Sequence, residues 1–251
     1  MNKKLPISCF IIAQNEADRI DKTIQSVKDL VDEIIVIDSG STDGTQKISE
    51  EMGCKVLFNE WRGFGPQKRF GEDCARNKWL LNLDADEYLT TELQNEIREL
   101  FLNNVKESFY SMRVVPIYPN WSKPRLFSAH HLCVRLYNIE FGRFSESKVH
   151  DSVETGSKKI IALKNPVFHK SVRSFRHLIE KEDNYIKMQA SSLKKSNKLM
   201  LLLRLFTEFP LAFLKYYIIR RHFTGFLTGF STAIILAYFR WKRIILFLTK
   251  N

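Results

Sequence analysis

The apolar run Trp79-Leu80-Leu81-Asn82-Leu83 stops abruptly in Asp84-Ala85-Asp86-Glu87, three carboxylates within four residues. A segment apolar enough to be a buried strand cannot carry unpaired charge into a core, so the run must end at a sheet edge. In open α/β sheets ligands collect beyond the carboxyl ends of the strands, where the alternate residues Asp84 and Asp86 can point to the same side. Hard oxygen ligands beside a diphosphate suit Mg2+ or Mn2+. The competing reading is an acidic helix start, with Asp86 and Glu87 favouring the dipole of the helix that follows.

The preceding residues supply the rest of that sheet. Residues 7–13 read as a buried strand; Ile20, Ile24, Val27 and Val31 then recur at helical spacing, and residues 33–37 form a second strand. The next helix starts near the capping candidates Ser41, Thr42 and Asp43 and stops at Gly53, before strands at 55–58 and 79–83. Strands alternating with helices predict a mainly parallel, doubly wound α/β sheet. A helix from Thr90 to about Asn103 follows, then β-rich sequence over 108–169 in which strands at 109–115 and 132–137 extend the sheet. Residues 174–196 predict a polar helix.

At 251 residues and 44% apolar, the chain suits one α/β domain with a helical appendage. Its four cysteines, Cys9, Cys54, Cys74 and Cys133, lie far apart, which points away from a zinc site or disulfide framework. Residues 1–6 run straight into a strand with no small-residue cleavage site, so a cytosolic or inner-membrane-face location is expected.

Two further loops fall on the same sheet edge as Asp84. In Ile37-Asp38-Ser39-Gly40-Ser41-Thr42-Asp43-Gly44-Thr45, Asp38 can accept hydrogen bonds from a base N–H or a ribose hydroxyl, although an ordinary capped loop would look alike. At the end of the first strand, Asn15 is a candidate N-cap and Glu16 a candidate nucleoside contact. Lys68 and Arg69 precede the Asp84 strand and could reach a diphosphate, or form a solvated basic helix face.

The order Asn15-Glu16, then Ile37 to Thr45 as above, then Leu83-Asp84-Ala85-Asp86-Glu87 resembles the glycosyltransferases of family 2, whose fold is the Rossmann-like GT-A type. Arg135-Leu136-Tyr137, Phe144-Ser145, Val149-His150-Asp151 and Pro166-Val167-Phe168-His169-Lys170 resemble the lipopolysaccharide and lipooligosaccharide core glucosyltransferases within it. The resemblance implies that Asp38 contacts the uracil, Asp84 the ribose and metal side, and Asp86 the metal, with His169 completing the metal shell. It also implies an inverting transfer with Asp151 as base, needing no covalent intermediate. Relatives usually carry Glu where this chain has Asp151, and the shorter arm leaves Glu146 and Glu154 as local alternatives. The expected division is a GT-A domain at 1–173, with a nucleotide-sugar half at 1–103 and an acceptor half at 104–173, and a helical tail at 174–251. The expected donor is UDP-glucose and the expected acceptor a lipid-anchored oligosaccharide.

Charge marks the tail. Residues 194–251 hold eleven Lys/Arg against the single Glu208, whereas residues 1–193 hold 28 basic and 27 acidic residues. Basic clusters among long apolar runs suit helices lying in a headgroup layer and facing anionic lipid. The longest uncharged stretch, residues 222–239, has 18 residues and is diluted by Gly225, Thr228, Gly229, Ser231 and Thr232, so peripheral attachment to the cytoplasmic face of the inner membrane is expected rather than a span. Two other functions compete. One keeps the fold but uses a polyprenyl phosphate acceptor, which needs no base; the other is a non-catalytic membrane-binding module. Nucleic acid is not an expected partner, because the tail is apolar rather than polar with interleaved aromatics.

Overall fold

A computed structural model of the protein describes residues 3–105, 107–148, 151–190 and 198–250. Val149 and His150 of the sequence pattern, and residues 191–196 of the expected polar helix, lie outside the described residues. The chain packs as two compact units: Met1–Val115 with His130–His169, and Pro116–Ala129 with Lys170–Asn251. Residues 116–129, which belong to the acceptor half of the sequence-based division, thus pack with the C-terminal segment.

The first unit is built on β1 (Leu5–Ala13), α1 (Ile20–Gln25), β2 (Val31–Asp38), α2 (Thr45–Glu51), β3 (Lys55–Phe58), α3 (Phe64–Asp73) and β4 (Trp79–Asp84). It continues with β5 (Glu87–Leu89), α4 (Thr91–Leu102), β6 (Phe109–Pro116), β7 (His131–Asn138) and β8 (Ile160–His169). The sheet order is β3-β2-β1-β4-β7-β6-β8-β5, parallel through the first four strands and antiparallel where β7 joins β4. This is a GT-A-like α/β architecture.

β1 is apolar but for Ser8, which bonds Glu33, because both of its faces are covered. Ile7, Cys9 and Ile11 share one core with Ile20 and Ile24 of α1 and Leu93 and Ile97 of α4. Phe10 and Ile12 join Ile35, Ile37, Tyr137 and Phe144 on the opposite face, which α3 approaches. A Cβ on Gly71 of α3 would lie 2.7 Å from the Phe10 ring, so glycine permits that approach. The helical spacing outlasts the first helix: α1 ends at Gln25, yet Val27 and Val31 are fully buried because the turn and the start of β2 rest on the same core. α2 begins at Thr45 behind a left-handed Gly44, and not at Ser41, whose hydroxyl serves Asp38 and Asn15 instead. α4 is capped by Thr90, which accepts from Leu93 N at 3.2 Å. β5 separates that cap from Asp86, which removes the acidic helix start as an account of the carboxylates.

The second unit contains α5 (Phe175–Ala190), α6 (Lys198–Leu214), a π turn (Lys215–Ile219), a 3-10 turn (His222–Gly225) and α7 (Phe226–Lys250). Glu208, the sole acidic residue of the basic tail, sits between Arg204 at 2.7 Å and Arg240 at 2.8 Å and so ties α6 to α7. The segment His222–Thr249 is long and apolar enough to cross a membrane. Residues 116–129 are anchored by Arg125, which donates to the carbonyls of Arg220 at 2.8 Å and Arg221 at 3.0 Å, at the end of the π turn. A cation at those carbonyls is favoured by the helix dipole.

Candidate active site

All eight residues singled out as donor, metal or base positions lie in the first unit. Register explains why three loops meet. β1 is flanked by β2 and β4, with Ala13 paired to Asp38 and Ile12 to Asp84, so the residues after each strand share one edge.

Asp38 is fully buried, and its carboxylate accepts from Gly40 N and Ser41 N, both at 2.9 Å, from Gln46 Nε2 at 2.5 Å and from the Ser41 hydroxyl. Burial pushes its carboxyl up, but these hydrogen bonds outweigh it and hold the group below its usual range. Asn15, in a left-handed conformation with φ 56°, donates its backbone N–H to Ser41 Oγ at 2.9 Å, and its side chain accepts from Thr42 N at 2.9 Å. It therefore locks the first loop to the second and is not a helix cap. Glu16 pairs with Arg19, whose guanidinium also reaches Asp86 at 3.5 Å.

Lys68 is 1% exposed, which rules out the solvated-face reading. Its ammonium lies 3.0 Å from Asp84 Oδ1 and 2.5 Å from Asp151 Oδ2, joining positions 67 residues apart. Arg135 meets the other Asp84 oxygen at 3.0 Å, Glu87 at 2.5 Å and Asn82 Oδ1 at 2.7 Å. Burial works against ionised Asp84, yet Lys68 and Arg135 hold its carboxyl well below the usual carboxylate range. Glu87 shifts the other way, because its burial and the neighbouring Asp84 charge exceed the help from Arg135.

His169 comes to the same edge through strand pairing: β8 runs antiparallel to β5 with His169 opposite Glu87. Its Nε2 is 3.2 Å from Asp86 Oδ2. Burial lowers the imidazole pKa, but the Asp86 hydrogen bond and charge raise it above its ordinary value. Burial pushes Asp86 up, and His169 and Arg19 bring it below the usual range. Among the described residues no group of three His, Cys, Asp or Glu side chains converges as a complete metal cage.

The base candidates separate. Glu146 is 81% exposed and 3.8 Å from Arg69, whereas Asp151 reaches Lys68. Arg69 itself donates to Phe144 O at 2.7 Å and so supports the Asp151 segment. Glu72, fully buried on α3, anchors the same segment, accepting from Tyr137 Oη at 2.7 Å, Arg143 Nε at 2.9 Å and Phe144 N at 2.9 Å. Ser145 N then donates to Ser152 O at 2.9 Å, turning the chain so that Asp151 faces α3.

Arg19, Glu72 and Arg135 carry no role in the sequence reading. Arg135 had a legible signal: a lone arginine between Val134 and Leu136 in an apolar strand needs buried carboxylates. Nothing near Arg19 or Glu72 in the sequence announces their partners.

The chain is 40% identical to an uncharacterized glycosyltransferase of Rickettsia conorii, over 97% of this chain and 91% of that one. It is 28% identical to the lipopolysaccharide core biosynthesis glycosyltransferase LpsC of Rhizobium meliloti, over 93% of this chain and 88% of that one. The crystal structure of S. aureus TarS 1–349 aligns with a TM-score of 0.49 at 14% identity, covering 98% of this chain and 90% of that chain. A family model described as Glycosyl transferase family 2 matches residues 8–161, and the chain belongs to that family of glycosyltransferases.

Proposed function

We propose that this glycosyltransferase moves a hexose, glucose from UDP-glucose, with inversion onto an inner-core sugar of lipopolysaccharide or lipooligosaccharide at the cytoplasmic face of the inner membrane. The observation that carries the reading is the Lys68 bridge between Asp84, at the end of β4, and Asp151. It supports an arrangement in which a carboxylate suited to deprotonate an acceptor hydroxyl stands beside the donor edge. Asp151 would take that proton while the hydroxyl oxygen attacks the anomeric carbon opposite the leaving diphosphate. Lys68 supplies counter-charge to both carboxylates, and Arg135 with Glu87 fixes the orientation of Asp84.

The donor set suits a divalent cation. Mg2+ binds through one or two carboxylates and completes its shell with water and substrate phosphates, so an incomplete protein shell is compatible with it. Asp86 and His169, with Asp84 alongside, would hold the ion, and when bound it supplies positive charge for the departing diphosphate. The buried carboxylate of Asp38, oriented by Gly40, Ser41 and Gln46, and the neighbouring Asn15 and Glu16 would frame the nucleoside.

A lipid-anchored acceptor and a peripheral attachment draw on the charge of the tail and on the exposed apolar side chains of α6 and α7. The 28% relative named for lipopolysaccharide core biosynthesis supports the same acceptor class. The test is incubation of the purified protein with a panel of nucleotide sugars, Mn2+ and heptose-bearing lipid acceptor, measuring released nucleotide and glycosylated lipid. Acceptor-dependent release from UDP-glucose is expected. Transfer to a polyprenyl phosphate that survives Asp151→Asn would instead favour the phosphate acceptor.

A further inference from the structure

Among the described non-glycine residues, six have φ in the left-handed region, and Asn120, Phe127, Arg221 and Phe226 of these lie in the C-terminal unit. Asparagine tolerates the left-handed helical conformation, but a bulky phenylalanine does not adopt positive φ readily, and Phe127 has φ 55° while Phe226, at φ 48° and ψ −135°, lies outside even the left-handed helical region. Strained backbone persists where something else compensates for it. Burial within the protein does not, because Phe127 is 69% and Phe226 77% exposed.

These two aromatics belong to one surface assembled from distant segments. Thr224 Oγ1 donates to Leu126 O at 2.8 Å, Arg125 binds the carbonyls of Arg220 and Arg221, and the Arg221 guanidinium sits 5.1 Å from the Phe127 ring centre. Leu126, Ile219 and Leu227 are exposed by 73%, 74% and 83% on the same segments. Residues 116–129 and 215–227 contain Lys123, Arg125, Lys215, Arg220 and Arg221 and no Asp or Glu.

We propose that this surface is an insertion apex for an anionic lipid bilayer, with Leu126, Phe127, Phe226 and Leu227 entering the acyl layer and Arg220 and Arg221 remaining at the phosphates. The inference rests on the membrane attachment proposed above and deepens it by assigning contact to a defined apex, part of which lies outside the basic tail. Exposed apolar side chains beside Arg220 and Arg221 match the acyl boundary and headgroup layer in sign. A second copy of the chain would set like charges against each other. Single-stranded nucleic acid would exploit stacking aromatics but has no use for Leu126, Ile219 and Leu227.

The experiment uses the full chain with vesicles of phosphatidylglycerol and phosphatidylcholine, and of phosphatidylcholine alone. It compares wild type with Phe127→Asn/Phe226→Asn. Asparagine suits positive φ better than phenylalanine at Phe127 and is no more strained than phenylalanine at Phe226, whose backbone has φ 48° and ψ −135°, so an unchanged melting temperature is expected, together with a fall of about tenfold or more in partition onto the anionic vesicles. Arg220→Gln/Arg221→Gln should weaken binding to the anionic vesicles and leave phosphatidylcholine binding unchanged. Wild-type-like partition of the double asparagine variant would overturn the apex while leaving tail attachment standing. A wild type that binds neither vesicle would overturn the attachment itself and the apex with it. A sharp drop in melting temperature, or a wild-type dimer dissolved by the asparagines, would show that the phenylalanines serve packing or self-association, and either result overturns the bilayer as their partner.

Discussion

Lys68 Nζ lies 2.5 Å from Asp151 Oδ2, on a lysine that is 1% exposed. A buried ammonium with two carboxylate partners is tolerated because both are charged and close, and losing it would leave Asp84 and Asp151 without that counter-charge. Lys68→Met is therefore expected to lower stability by about 1–3 kcal/mol, since Asp84 keeps Arg135 and both carboxylates are partly exposed, and to depress transfer more than donor binding. Chemical denaturation and nucleotide-sugar titration on the same variant separate the two effects.

The geometry also ranks the carboxylates near the acceptor. Asp151→Asn should reduce transfer to a sugar hydroxyl by about 10²–10⁴-fold with little change in donor affinity. Glu146→Gln and Glu154→Gln should leave transfer within about threefold of wild type, as expected of exposed side chains, the first of which makes only a long 3.8 Å contact with Arg69. Steady-state kinetics of the three variants with one acceptor decides the order, and a larger loss from either glutamate would reassign the base.

Asp86 is mostly buried between His169 and Arg19, so its truncation disturbs more than a metal ligand. Asp86→Asn keeps the shape and should cost about 10²-fold or more in rate with a modest change in melting temperature. Chelation with EDTA should reproduce the rate loss in the wild type, and added Mn2+ should reverse it. Full activity in EDTA would remove the metal role of Asp86 and His169.

Asp38 links fold stability to pH. Its folded-state pKa is depressed, so its contribution is present above the unfolded carboxylate pKa of about 3.9 and is lost as pH falls through the folded value. Denaturation midpoints of wild type and Asp38→Asn should differ at pH 7 and converge in acid below about pH 4. A difference that stays constant across that window would show that the carboxylate charge is not the stabilising feature.

Glu72 accepts from three donors, and Glu72→Ala leaves Tyr137 Oη and Phe144 N without that partner, while Arg143 keeps its pairing with Asp73. A loss of about 2–4 kcal/mol is expected. Proteolysis should nick the 143–153 segment faster in this variant, since Glu72 pins it to α3. Protection equal to wild type would place the anchor elsewhere.

Much of the first unit was legible because burial writes itself into local sequence. Both faces of β1 are covered, which makes residues 7–13 apolar but for the buried Ser8, and β3 occupies the expected residues 55–58. The carboxylates of Asp84, Asp86 and Glu87 were visible because charge ending an apolar strand is costly unless compensated. The end of α1 was less legible: Val27 and Val31 continue the helical spacing after Gln25, as turn and strand pack on the same core that the helix does.

What the sequence by itself determined was the set of strand ends and the chemistry placed on them, since the apolar runs of strands, turn conformation and capping are set by residues a few positions apart. Tertiary structure alone decided which charges meet. Strand register put Asp38 and Asp84 at one edge, and β5–β8 pairing carried His169 to Asp86 across 83 residues. The anchoring by Glu72 and Arg69 turned Asp151 toward Lys68, and Arg125 drew residues 116–129 onto the C-terminal helices. Ion pairs leave little mark on local sequence because either partner looks like an ordinary polar residue until the fold removes water from around both.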